Sequence, residues 1–97
     1  MQALEAVPFD FEGKEYEVRV TTDGMKIVVQ AYHKGEPANG YTYQVAFTTA
    51  IDLKRQIGLE AIQHLIHIAQ DDVKERRWEK YLEAVRLLAD KGNIENA

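Results

Sequence analysis

The hydrophobic period of this chain changes once, near residue 50, and that change most constrains its fold. Before it, apolar residues recur every second position; beyond it they recur at helical spacing. In "FDFEGKEYEVRV", Tyr16, Val18 and Val20 alternate with Glu15, Glu17, Arg19 and Thr21, so one face of a strand is apolar and the other charged. Asp23-Gly24 marks a hairpin, since both residue types tolerate positive φ. "KIVVQAYH" is the next strand, with Ile27, Val29 and Ala31 inward and Val28 and Tyr32 outward. "KGEPANG" is a loop, and "YTYQVAFT", from Tyr41 to Thr48, is the last strand. With no helix between the strands, a parallel crossover is unavailable. The expected sheet is an antiparallel meander of three main strands, with a short N-terminal strand from Phe9 to Phe11.

Two helices follow, from about Asp52 to Gln70 and from about Asp72 to Asp90. Ile62, Leu65, Ile66, Ala69 and Val73 form the apolar face of the first. Trp78, Tyr81, Leu82, Val85, Leu88 and Ala89 form a second face, rotated by roughly 140°. Either the chain turns near Asp71-Asp72, or one long kinked helix presents its ends to different surfaces. Gly92-Asn93 is the expected C-terminal stop. The fold class is therefore α+β, with the C-terminal helices packed on one sheet face and the first helix covering it. The 97 residues fit one small domain, 1–97, with 1–8 and 93–97 expected to fray.

Composition narrows the function. There is no cysteine, hence no disulfide frame and no thiolate chemistry, and no serine, hence no serine nucleophile. No apolar run approaches the ~18 residues of a membrane span, and "MQALEAVPFD" lacks the pattern of a signal peptide, which points to the cytoplasm and away from membranes. Net charge is −4: residues 1–49 carry four bases and seven acids, residues 50–97 eight and nine. That balance argues against a general nucleic-acid binder. No catalytic motif is recognisable and no cofactor is implied.

Three groups of residues stand out. Glu60, His64, His67 and Asp71 fall within about 60° of arc on a helix, a stripe of two imidazoles and two carboxylates suited to zinc, iron or manganese. The same stripe lies opposite the apolar face, where any amphipathic surface helix is polar. Completing a site there requires His33 or a second subunit. Lys74, Arg76, Arg77 and Lys80 surround Trp78 and Tyr81, a pattern compatible with nucleic-acid binding, but Asp71, Asp72, Glu75 and Glu79 are interleaved, and Asp72 and Arg76 have ion-pair spacing. Finally, Trp78, Tyr81, Leu82 and Val85 supply more apolar surface than one sheet face needs. They are the expected interface of a small non-enzymatic binding or assembly protein, acting as a homodimer or with a protein partner.

Overall fold

The computed structural model describes the backbone of residues 2–95 and the side chains of residues 2–89. Five strands precede three helices: β1 (Gln2–Phe11), β2 (Lys14–Thr22), β3 (Lys26–His33), β4 (Glu36–Pro37), β5 (Tyr43–Ala46), α1 (Phe47–Ile57), α2 (Ala61–Lys74) and α3 (Arg77–Glu95). The sheet runs β1-β2-β3-β4, with β5 also on β3, and every pairing is antiparallel. The α+β class and the meander stand as expected.

β1 begins at Gln2, so residues 2–8, expected to fray, are in the ladder. Val7 and Phe9 lie opposite Val18 and Tyr16, which extends the apolar face of β2 across to β1. The register slips between Ala3 and Glu5. Pro8 is tolerated because β1 is the sheet edge, where a missing N–H costs no ladder bond. Two hairpins are tight two-residue turns with both central residues left-handed: Glu12-Gly13 (φ 51° and 75°) and Lys34-Gly35 (φ 52° and 80°). At Asp23-Gly24 only the glycine has positive φ, 93°. Asp23 instead accepts the N–H groups of Met25 and Lys26 at 2.9 and 3.0 Å, and these bonds hold its carboxyl below the ordinary value.

The last strand is shorter than Tyr41–Thr48, for a reason of shared edge. β3 offers one free edge to everything after it. Its far end is taken by β4 and by the Ala38 N–H donating to Ala31 O at 2.9 Å, leaving only Lys26–Val29 for β5. The ladder stops with the Phe47 N–H on Met25 O, and the helix starts there.

The helical region is three helices. Gly58, at φ 70°, caps α1, its N–H reaching Lys54 O while that of Leu59 reaches Leu53 O. The expected Asp52–Gln70 helix is thus split at this glycine. The second break falls at Glu75-Arg76 rather than Asp71-Asp72, with Arg76 in the left-handed region at φ 53°. Helix α3 continues through Gly92-Asn93 to Glu95; Ala97 and its neighbour lie outside the described residues. The core consists of Val18, Val20, Ile27, Val29 and Ala31 from the sheet and Ile66 and Ala69 from α2. The cover is therefore α2; α1 contributes no buried residue.

Candidate functional site

Asp72 is the most informative polar residue of the fold. It is 3% exposed, inside the last turns of α2. A carboxylate taken this far from water needs partners. The Tyr43 hydroxyl donates to its Oδ2, and Arg77 Nη1 donates to Oδ1 at 2.9 Å. Arg77 also pairs with Glu75. Three elements, β5, α2 and the first residue of α3, thus meet on one buried carboxylate. The expected Asp72–Arg76 surface pair does not form: Arg76 instead reaches Glu12, in the β1–β2 turn, at 2.5 and 2.6 Å. The sequence places Asp72 at the start of a helix and in a surface pair, and so misses its burial; its helical phase, beside Leu65 and Ala69, is the signal that would have found it, whereas no local pattern shows the pairing with Tyr43.

Burial, and next the hydrogen bond to Asp72, push the Tyr43 phenol well above its ordinary value of 10.0. A folded-state value raised above the unfolded one gives stability that is whole below pH 10 and is lost as pH rises through the folded value. Wild-type stability should therefore fall more steeply above pH 10 than that of Tyr43→Phe. Urea midpoints of both proteins through the alkaline range test this; parallel curves would disprove it.

Trp78 completes the cluster. Its ring lies edge-on to Tyr41, centroids 5.3 Å apart, and stacks on Tyr81 at 5.4 Å. Tyr41 in turn stacks on Tyr43 at 6.4 Å. Gly40 is where the loop passes directly against the indole: a Cβ there would overlap the ring. Arg76, Arg77 and Trp78 therefore fasten the root of α3 to three different places, the β1–β2 turn, α2 and the loop before β5. Trp78, the first residue of the second apolar stripe, is half-buried at this root.

Beyond the root, every residue from Glu79 to Ala89 is exposed. Tyr81 is 51% exposed, Leu82 47%, Val85 43% and Leu88 67%. These four share one side of the helix, continuous with Trp78. The molecule is correspondingly long, 54 × 33 × 25 Å, with a radius of gyration of 16.6 Å. A compact domain of this length would have about 12.5 Å.

The other sequence candidates lie elsewhere. Glu60, His64, His67 and Asp71 are all exposed, on the side of α2 away from the sheet. Glu60 precedes the helix and pairs with Lys54 at 3.2 Å. His33 sits at the end of β3, its Nδ1 2.9 Å from Glu15 O and its ring against Tyr16. Among the described residues no group of three or more His, Asp or Glu is disposed to hold a metal ion. In the basic cluster, Arg76 and Arg77 are committed to Glu12, Asp72 and Glu75, and the Lys74 ammonium lies 5.9 Å from the Phe9 ring centroid. On the open sheet face a shallow cleft of about 820 Å³ is lined by Asp10, Glu17, Arg19, Tyr32 and Lys34. There Arg19 bonds Glu17 at 2.5 Å and lies 4.2 Å over the Tyr32 ring, so its charge is already met within the sheet. Among the described residues no buried side-chain nitrogen or oxygen lacks a hydrogen-bond partner.

No protein-family model matches the chain, and neither curated proteins nor solved structures give a significant match. No helix among the described residues is long and apolar enough to cross a membrane.

Proposed function

We propose that this chain is a small non-enzymatic assembly protein that self-associates through α3. One observation carries the reading. A helix fixed at its root by Arg76, Arg77 and Trp78 holds Tyr81, Leu82, Val85 and Leu88 clear of the domain's own core. A monomer gains nothing by ordering an apolar stripe in water, whereas an oligomer buries it. The pairing of Arg76 and Arg77 with Glu12, Asp72 and Glu75 supports the same reading against nucleic acid, because cations already neutralised by carboxylates release fewer counterions from phosphate.

Native mass spectrometry of untagged protein prepared without chelator tests the proposal. The expected species at micromolar concentration is a dimer. Leu82→Glu with Val85→Glu should yield monomer with an unchanged far-ultraviolet circular dichroism spectrum, since both side chains lie outside the core. A wild type monomeric at high micromolar concentration overturns the proposal. A stoichiometric metal adduct on a monomer overturns it too, and directs attention to His64 and His67.

A further inference from the structure

The area that a stable interface needs limits where α3 docks: a standard one buries ~800 Å² per partner. The α3 stripe alone falls short. Four side chains at roughly half exposure offer on the order of 400 Å² together, taking a large side chain at about 200 Å². A simple pairing of two α3 helices therefore reaches only about half of the ~800 Å² that a standard interface takes from each partner.

The remaining apolar surface is concentrated in one other place. Of the eleven large apolar side chains exposed among the described residues, five are on α3 and four are on α1 and the linker after it: Phe47, Ile51, Ile57 and Leu59. Helix α1 has no buried residue of its own: Ala50 packs on the core, while Phe47, Ile51 and Ile57 stay exposed. Each chain thus carries an arm and a face, both apolar and both unpartnered. The arm is not free to swing back onto its own α1, because its direction is set by the Arg76–Glu12 pair, the Arg77–Asp72 pair and Trp78 against Gly40.

We infer that the occupant of α1 is α3 of a second copy of this chain, exchanged reciprocally in a two-fold dimer. This rests on self-association through α3 and adds its docking partner. Reciprocal exchange is closed: residue i of one copy meets residue j of the other and the converse, so both surfaces are buried in both subunits and no sticky end remains to form filaments. An interface built this way reaches the area that a lone helix pair does not.

The absence of cysteine makes the test direct. Ile51→Cys and Val85→Cys are prepared separately, mixed to exchange subunits, and treated with a short bis-maleimide. The mixture should give a covalent dimer containing one chain of each kind, and Val85→Cys alone should give little. A charge on the acceptor, Ile51→Glu, should raise the dimer dissociation constant by more than about tenfold, as an unpaired charge buried at an interface does. Efficient cross-linking of Val85→Cys to itself, or a native-mass dimer unaffected by Ile51→Glu, would overturn the exchange while leaving self-association standing. A monomeric wild type would overturn both.

Discussion

Replacing Ile66 with alanine is expected to lower the free energy of unfolding by about 3–4 kcal/mol, the upper range for a buried isoleucine whose site is unable to collapse. The reason is architectural. A single helix, α2, covers the sheet, and only Ile66 and Ala69 of that helix are fully buried apolar residues. Beneath them lie Val18, Val20, Ile27, Val29 and Ala31, held by strand pairing and unable to rise into the space. A domain of this length holds on the order of 5–10 kcal/mol in total, so the variant should be close to unfolding at body temperature. Ile66→Val, which removes one methyl, should cost about 1 kcal/mol. Urea titrations at one fixed protein concentration read both, as midpoint shifts at constant slope. A loss below about 1 kcal/mol for the alanine variant would show that α2 is not the cover.

The parts of the fold that rest on local chemistry were readable, and those that rest on distant partners were not. The inward set of Val18, Val20, Ile27, Val29 and Ala31 follows from a period of two, and the structure buries all five. The face of α2 follows equally from its period of 3.6. The length of β5 was not readable, because it depends on β4 and Ala38 having already occupied part of the β3 edge. Gly58 was a visible signal, passed over because the helical pattern continues on both sides of it; its left-handed φ ends α1 all the same. The turn at Arg76 carries no glycine or proline. It is held by Glu12, sixty-four residues away in sequence, which no local pattern reveals. The outward stripe of α3 was legible as Tyr81, Leu82 and Val85. Trp78 is half-buried at the start of that stripe, and helical phase does not show that a loop glycine, Gly40, leaves a slot for its ring.

Asp72→Ala is expected to cost about 2–3 kcal/mol and to loosen α3 at the same time. Two charge-assisted hydrogen bonds end on this carboxylate, and such bonds contribute about 1.5–3 kcal/mol each when buried. The bond from Arg77 counts for less than that, since the guanidinium side chain is 44% exposed and water takes over part of its solvation. The bond from Tyr43 counts more fully, because the half-buried hydroxyl is left facing a methyl group. Asp72→Asn separates the two contributions: it keeps an oxygen to accept from Tyr43 and loses the charge opposite Arg77, and about 1 kcal/mol is the expected loss. The single tryptophan gives an independent reading. With Arg77 released from Asp72, the root of α3 loses one of its fastenings to the domain, and the indole should become more accessible to a neutral quencher in the native state of the alanine variant. An unchanged native quenching rate with lowered stability would mean that Asp72 supports the core without orienting α3. The combination of both changes, together with a weakened dimer, would show that the buried carboxylate sets the direction in which the assembly arm points.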